Sequence, residues 1–286
     1  MERVRLGKSE LRVSPIAFGT WSFGGDWGRF DTDEAKATIG RALELGITLF
    51  DTAQGYGFGV AERFLGDALW SRARREDVFV ATKGGLRMDG DRLLRDASGR
   101  WLREGADSSL RNLRTDYIDL YQIHWPDEHT PPEETAGALE ELVRAGKIRH
   151  VGVSNYDVKQ IEELARFGRV ETLQPPYHVF RREIEDETLP YAMDHDIGVL
   201  VYGAMAHGCA DRNHDAGDDV RAGRLAGEQS RLHGRDLPSQ PRGRRAAEGD
   251  RHAARHHTPA ARGRVDPRAA GRPRDDRRGA SAGSPG

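Results

Sequence analysis

The sequence predicts an α/β fold, specifically a (β/α)8 barrel, from three observations. Short apolar runs alternate regularly with amphipathic stretches along the first 200 or so residues. The chain has 286 residues, which exceeds the roughly 250 residues that such a barrel needs. Polar or reactive side chains stand at the carboxyl ends of successive apolar runs. A closed barrel gathers all such ends at one mouth, whereas an open doubly wound sheet uses only those beside its switch point.

The individual elements follow from local signals. A short hairpin over 4–13 turns at 7–9, and the first strand follows it. Asp31 is a helix-capping residue, and Gly46 is a typical helix stop. The predicted strands are Ile16–Thr20, Ile47–Asp51, Val78–Lys83, Tyr117–His124, Ile148–Ser154, Thr172–Gln174 and Ile197–Tyr202. The predicted helices occupy 31–46, 60–70, 133–145, 157–166 and 187–195, and residues 108–113 lie in a further helix.

The composition changes sharply after Gly208. Every Phe, Trp and Tyr lies at or before Tyr202, and the remainder is dominated by Arg, Ala, Gly, Asp, Pro and His. Such a segment buries too little apolar surface to offset the entropy lost on ordering. The sequence therefore predicts an incomplete barrel domain over 1–208, with strands one to seven recognisable. It predicts a low-complexity segment over 209–286, with strand eight and the final helices missing.

Charge and cysteine content indicate the compartment and the class of partner. The formal net charge of −2 does not favour nucleic acid as a partner. The single cysteine, Cys209, cannot form an internal disulfide, which fits a reducing cytoplasm. We expect neither a signal peptide nor a membrane span, because no apolar run approaches the ~18 residues that a span requires. The sequence does not specify the oligomeric state.

Four residues at the predicted mouth are suited to proton transfer: Asp51, Tyr56, Lys83 and His124. A phenol has an unperturbed pKa near ~10, which is too high for easy proton donation at neutral pH. A nearby ammonium stabilises phenolate, and a carboxylate beside that ammonium holds it charged and in place. The set therefore has the composition of a tuned general acid.

Each of these residues, taken alone, also has a structural explanation. Asp51 is then a strand-end cap, Lys83 a solvated side chain and His124 a hydrogen-bonded structural histidine. Their delivery by consecutive strands to one mouth favours the catalytic interpretation. We expect no metal site, because the acidic residues and His129 after Trp125 lead into two prolines that indicate a loop before a helix.

Several stretches resemble, in order, the motifs of the aldo-keto reductase family. They are Phe50–Ala53 with Gly55–Gly57, Ala81–Lys83, Ile118–Asp127, Gly146–Arg149 and Val151–Asn155. The resemblance implies a (β/α)8 TIM barrel that reduces an aldehyde or ketone with NADPH. It implies that Tyr56 donates the proton and that Asp51, Lys83 and His124 complete the catalytic tetrad.

The same resemblance implies further contacts. Ser154, Asn155 and Gln174 are expected to hold the nicotinamide carboxamide, and Tyr202 to stack on the ring. Thr20 and Asp51 are expected beside the cofactor, and Trp21 and Trp125 beside a small carbonyl substrate. The sequence determines neither the physiological substrate nor a preference for NADPH over NADH.

Two alternatives stay open from the sequence. The potassium-channel β subunits also resemble this family and act mainly by association, so an NADPH-binding or regulatory protein is the alternative function. The other is a non-functional, truncated product. Codons for 210–215 can be read one base later as Leu-Thr-Gly-Thr-Met, which is typical of the family, so we predict that the segment after Gly208 is frameshifted. A natural disordered tail is the competing explanation.

Overall fold

The computed structural model describes residues 1–25, 28 and 30–206. These residues all belong to the first of the two units into which the chain divides, Met1–Asp236. The predictions for residues 209–286, including the missing eighth strand and the shifted reading frame, lie outside the described residues.

The described residues form eleven strands and six helices. The strands are β1 (Val4–Arg5), β2 (Arg12–Val13), β3 (Ala17–Gly19), β4 (Leu49–Asp51), β5 (Phe79–Gly84), β6 (Leu86–Asp89), β7 (Arg92–Arg95), β8 (Ile118–Ile123), β9 (Ile148–Ser154), β10 (Thr172–Gln174) and β11 (Gly198–Val199). The helices are α1 (Thr32–Glu44), α2 (Val60–Trp70), α3 (Gly99–Leu113), α4 (Pro132–Arg144), α5 (Val158–Ala165) and α6 (Thr188–Asp194).

Seven strands pair in parallel to form one sheet, in the order β11-β10-β9-β8-β5-β4-β3. Apart from the inserted β6–β7 hairpin, this spatial order is the chain order, with a helix after most strands. A doubly wound sheet would reverse its order at a switch point, and this sheet does not. The (β/α)8 class predicted from the sequence is confirmed, with strands one to seven observed.

Side chains on the two faces of the sheet enter two apolar cores, as the alternation of strand residues requires. Outward-facing residues such as Phe50, Val80 and Val153 pack against the helices. Inward-facing Leu49, Leu120 and others pack against the β1–β2 hairpin inside the barrel. The hairpin therefore closes the amino-terminal end of the barrel, and the carboxyl ends of the strands remain available for a site.

Local capping explains how the helices begin. The Asp31 carboxylate accepts from the backbone N–H groups of Asp33 and Glu34, both at 2.9 Å, as predicted for the start of α1. Gly46 follows α1 with a φ of +82°, a conformation that favours glycine. Asp157 and Gln160 exchange side-chain and backbone hydrogen bonds at the start of α5.

The structure extends or corrects the predicted elements at three places. Helix α3 spans Gly99–Leu113 and is capped by Ser98, so it contains the predicted helical stretch 108–113 and extends it toward the amino terminus. The β6–β7 hairpin was not predicted from the sequence. The last observed strand spans only Gly198–Val199, and Tyr202 continues its direction through a single bridge to Pro176.

Within the part of the chain that the structure describes, no helix is long and apolar enough to cross a membrane. No group of three or more His, Cys, Asp or Glu side chains within the described ranges could hold a metal ion.

Candidate active site

A buried ion pair joins the carboxyl end of β4 to β5. Lys83 Nζ donates to Asp51 Oδ2 at 2.7 Å and to the backbone oxygen of Thr52 at 2.9 Å. The Lys83 side chain is only 1% exposed, and that of Asp51 is 14% exposed. An ammonium buried this deeply is costly unless it is paired and hydrogen-bonded. The pair therefore fixes the lysine head group in one position.

Tyr56 lies in the tight turn between β4 and α2. Its backbone N–H donates to the Ala53 oxygen at 3.1 Å. Lys83 Nζ lies 5.2 Å from the centre of the Tyr56 ring. The ring also stacks on Trp21, with centroids 6.3 Å apart, and meets the His124 ring edge-on at 5.6 Å. The turn thus brings the phenol between the ammonium and the imidazole.

Burial and charge set the protonation of the groups around Tyr56. Burial by itself lowers the pKa of Lys83, but the Asp51 carboxylate and the charge and hydrogen bond of Tyr56 raise it above its ordinary value. Burial, reinforced by the Lys83 charge, lowers the pKa of His124 well below its usual value. Lys83 is therefore a cation and His124 a neutral imidazole at neutral pH.

Thr20 and Gln174 hold the Asp51 segment from two neighbouring elements. The backbone N–H and the hydroxyl of Thr20 both donate to the Asp51 backbone oxygen, at 3.0 and 3.2 Å. Gln174 Nε2 donates to Asp51 Oδ1 at 3.0 Å. The two carboxylate oxygens of Asp51 are thus divided between Lys83 and Gln174, which fixes the carboxylate plane.

A second hydrogen-bonded set links the ends of β9, β10 and β11. Ser154 Oγ donates to the Gln174 backbone oxygen at 2.9 Å. Asn155, whose φ is +63°, donates through Nδ2 to the oxygens of His124 and Ser154, both at 3.0 Å. The Tyr202 hydroxyl donates to Asn155 Oδ1 at 2.7 Å, and burial raises the pKa of Tyr202 to about 12. Tyr202 therefore stays a protonated donor.

A cavity of about 580 Å³ opens at this mouth. Six of the predicted site residues line it, together with the apolar segment that follows β11. The lining residues are Ala17, Gly19, Thr20, Trp21, Ser22, Asp51, Tyr56, Gln174, Leu200, Val201, Tyr202, Gly203, Ala204 and Met205. The cavity lies beside Tyr56, where the ion pair and His124 converge.

Not every predicted residue reaches this cavity. Lys83, His124, Ser154 and Asn155 stand behind its wall, in contact with residues that line it. Trp125 is buried, with the Arg95 guanidinium 5.0 Å from its ring centre, and it does not line the cavity. The place of Trp125 beside the substrate stays a prediction.

The sequence did not predict the apolar residues around Tyr202 that line the cavity. Leu200, Val201 and Met205 line the cavity, but apolar residues near a strand end carry no chemical signal in a sequence. It also missed the backbone oxygen of Thr52 as an acceptor for Lys83. Every residue carries such an oxygen, so the residue type does not identify it.

A parallel barrel with a lysine–aspartate pair, a phenol and a neutral imidazole beside an open cavity at the carboxyl ends of its strands defines a barrel enzyme. The sequence profile described as "Aldo/keto reductase family" matches residues 15–256. The chain belongs to the aldo/keto reductase family, whose members are oxidoreductases that act on carbonyl groups.

Relatives with known names support this assignment. Aldo-keto reductase YhdN of Bacillus subtilis is 42% identical over 227 residues, covering 77% of this chain and 69% of that protein. The NADH-specific methylglyoxal reductase of Escherichia coli is 38% identical, and the match covers 73% of this chain and 68% of that protein. A probable voltage-gated potassium channel subunit beta of Arabidopsis thaliana is 33% identical, with 76% and 68% covered. The chain spans about two thirds of the length of these relatives.

Solved structures show the same architecture. The glycerol dehydrogenase of Gluconobacter oxydans superposes with a TM-score of 0.69 at 38% identity, covering 81% of this chain and 74% of that one. An aldo/keto reductase of Klebsiella pneumoniae, in complex with NADP and acetate, superposes with a TM-score of 0.63 at 30% identity, with 78% and 77% covered.

Proposed function

We propose that this protein reduces an aldehyde or ketone to an alcohol in an NADPH-dependent reaction in which Tyr56 donates the proton. The observation that carries the proposal is the placement of Tyr56. Its phenol lines the cavity, and behind it stand an ammonium fixed by Asp51 and a neutral His124. Fixed charges of this kind stabilise the negative charge that develops on a carbonyl oxygen during reduction.

Four residues have separate roles in the transfer of the proton. The Tyr56 hydroxyl transfers its proton to that oxygen, and the Lys83 ammonium stabilises the phenolate left behind. Asp51 keeps Lys83 charged and in place, because without a partner burial would favour the neutral amine. The neutral His124 imidazole donates a hydrogen bond that orients the carbonyl.

The described residues fit the nicotinamide end of NADPH. The cavity is large enough for a nicotinamide ring beside a small carbonyl compound, and its wall carries the Gln174 amide and the Tyr202 ring. Thr20 borders the same space, and Ser154 and Asn155 hold the Gln174 and Tyr202 side of the wall. When bound there, NADPH supplies the hydride that the carbonyl carbon accepts. The NADP complex of the Klebsiella relative supports this choice.

The proposed substrate is a small aldehyde or ketone. Trp21 lines the cavity in stacking contact with Tyr56, so it presents an apolar surface beside the reacting carbonyl. The lining is mostly apolar beyond the catalytic groups, which favours compounds with few charges. We propose that the reaction takes place in the cytoplasm, where NADPH is available.

The test measures NADPH oxidation with methylglyoxal, which the name of one relative suggests as a first substrate. Tyr56→Phe removes the proton donor and is expected to lower kcat at least about 100-fold, in the range typical of a lost general acid. Tyr117→Phe is the matched control, since that ring packs between two guanidiniums at the other end of the barrel. Equal rates for the parent and Tyr56→Phe would show that Tyr56 is not the donor.

A paired expression tests the predicted frameshift. The chain as given and a version with one base shifted after Gly208 are each titrated with NADPH by fluorescence and assayed with the aldehyde. Turnover by the shifted version alone supports the frameshift. Tight binding and turnover by the chain as given would contradict it.

A binding or regulatory function is the second candidate, and the identity to a probable potassium-channel β subunit favours it. It predicts saturable NADPH binding without aldehyde turnover in both versions of the chain.

A further inference from the structure

Glu62 is a fully buried carboxylate that the proposed chemistry does not use. It lies in the first turn of α2 with no exposed surface. Its Oε1 accepts from Thr82 Oγ1 at 2.7 Å, and its Oε2 accepts from Asn112 Nδ2 at 3.0 Å. A buried carboxylate is unfavourable unless donors satisfy it, although the helix N-terminus contributes some stabilisation. Glu62 is therefore held by two neutral donors from two other elements.

One of these donors stands directly beside the catalytic lysine. Thr82 precedes Lys83 on β5, so its side chain faces α2 while that of Lys83 faces the barrel interior. The hydrogen bond from Thr82 to Glu62 thus fixes the distance between α2 and the strand that carries the ammonium.

Helix α2, which carries Glu62, is also linked to the proposed proton donor Tyr56. Helix α2 begins a few residues after Tyr56, and the Ala61 N–H donates to the Tyr56 oxygen at 3.2 Å. The Gly59 N–H donates to the Gln54 oxygen at 3.0 Å, which closes the turn around Tyr56. A shift of the first turn of α2 therefore moves Tyr56 with it.

Asn112 on α3 completes the arrangement. Its Oδ1 accepts from Arg63 Nη1 at 3.1 Å, so the amide is oriented with Nδ2 toward Glu62. The contact is close, because a Cβ at Gly59 would lie 2.4 Å from Asn112 Nδ2. The start of α2 is thus held against both β5 and α3.

We propose that Glu62 is a positioning residue that sets the distance between the Tyr56 phenol and the Lys83 ammonium. The inference rests on the proposed function, in which these two groups act together. Glu62 does not line the cavity, so it acts through Thr82 and the first turn of α2. A misplacement of a catalytic group by about 1 Å can lower a rate on the order of 100-fold.

Lys83 reports on this distance without any turnover. Asp51, Tyr56 and His124 are the titratable groups that face it. Burial lowers the pKa of Lys83, and the Asp51 and Tyr56 contributions overcome that effect. When Tyr56 moves away, one of the raising contributions weakens and the pKa of Lys83 falls.

Three variants separate positioning from stability. Glu62→Gln keeps the shape and the acceptor for Thr82, but its amide N–H₂ opposes that of Asn112. The double variant Glu62→Gln/Asn112→Asp restores a donor–acceptor pair and still offers an acceptor to Arg63. Thr82→Val removes the link to β5. Thr135→Val is its control, since that buried hydroxyl on α4 donates to the Ala97 oxygen and contacts neither Glu62 nor β5 among the hydrogen bonds of the described residues.

Each variant is measured by NMR titration of the ¹⁵N-labelled Lys83 side chain, by kcat and KM for methylglyoxal, and by thermal melting. We expect Glu62→Gln and Thr82→Val to lower the pKa of Lys83 and to reduce kcat about 10-fold or more, with KM changed less than about 3-fold. The double variant should recover both values, and Thr135→Val should change only the melting temperature.

The outcomes distinguish this inference from the proposed function. An unchanged Lys83 titration in Glu62→Gln, or a loss of stability that the double variant restores without restoring the titration, would overturn the role of Glu62. If the Lys83 titrations behave as expected but no variant and no parent reduces a carbonyl compound, the positioning stands and the proposed function fails.

Discussion

The two ends of the barrel each contain an aspartate paired with a largely buried cation, yet they serve different purposes. At the amino-terminal end, Asp119 accepts from Arg75 at 2.6 Å, from the Val80 N–H at 2.9 Å and from Arg149 at 3.3 Å. At the carboxyl end, Asp51 pairs with Lys83 and faces a cavity. The residue types are alike, so access and an adjacent proton donor make the difference.

The surroundings of each pair explain this division. The guanidiniums of Arg75 and Arg149 lie 3.8 and 3.6 Å from the Tyr117 ring centre, and the Asp119 side chain that both of them contact is only 1% exposed. The Asp51 pair has a phenol and an imidazole beside it and an open space of about 580 Å³ in front. A buried ion pair therefore indicates a catalytic site when its carboxylate and a neighbouring proton donor line the same cavity, as Asp51 and Tyr56 do.

The largest effect on stability is expected at the amino-terminal end. Asp119→Asn leaves Arg75 without its carboxylate, and breaking a buried ion pair typically costs about 3–5 kcal/mol. Urea unfolding should show this loss, while kcat per folded molecule stays within about twofold of the parent. If Asp119→Asn were as stable as the parent, Asp119 would have no structural role.

The same substitution at the other end should affect the chemistry instead. Asp51→Asn removes the charge that holds the Lys83 ammonium and is expected to lower kcat about 100-fold or more. Its loss in the free energy of unfolding should be smaller than that of Asp119→Asn, because Asp51 is the more exposed of the two. If Asp51→Asn mainly lowered stability and Asp119→Asn mainly lowered kcat, the assignment of a structural role to one end and a catalytic role to the other would be wrong.

The pH dependence of stability tests the buried imidazole at the carboxyl end. Burial and the Lys83 charge lower the pKa of His124 in the folded state, whereas an unfolded histidine titrates near ~6.5. Below that pH the unfolded chain binds a proton that the folded chain does not, so the free energy of unfolding falls as the pH falls. His124→Asn should therefore lose less stability than the parent between about pH 7.5 and 5.5, as followed by urea unfolding. Parallel pH profiles would contradict the lowered pKa.

The smallest effect on stability is expected for an ion pair that is exposed on the surface. Arg103 Nη1 and Glu141 Oε2 are 2.8 Å apart on α3 and α4, with both side chains about half exposed. Arg103→Ala is expected to change the free energy of unfolding by less than about 1 kcal/mol, and high salt should remove the difference. A larger loss in the free energy of unfolding that persists in high salt would mean that this surface pair stabilises the fold as strongly as the Asp119 pair.

Much of the site was predictable because its parts carry local signals. Asp51, Lys83 and His124 each end or follow an apolar run, and Tyr56 stands in a glycine-containing turn, so strand order alone placed them together. Trp125 shows the limit of this reasoning. It directly follows His124 in sequence, but it packs against Arg95 and not against the cavity, because successive residues leave a strand in different directions.

The sequence by itself determined the alternation of strands and helices and the barrel class, and it predicted the four residues of the proposed acid set, since these depend on periodicity and residue type. Only the tertiary structure decided which partners each buried polar group has. Glu62 meets Thr82 and Asn112 across 20 and 50 positions of the chain, and Gln174 reaches Asp51 across 123. Such contacts depend on strand register and helix packing, because neighbours in space leave no regular spacing in the chain.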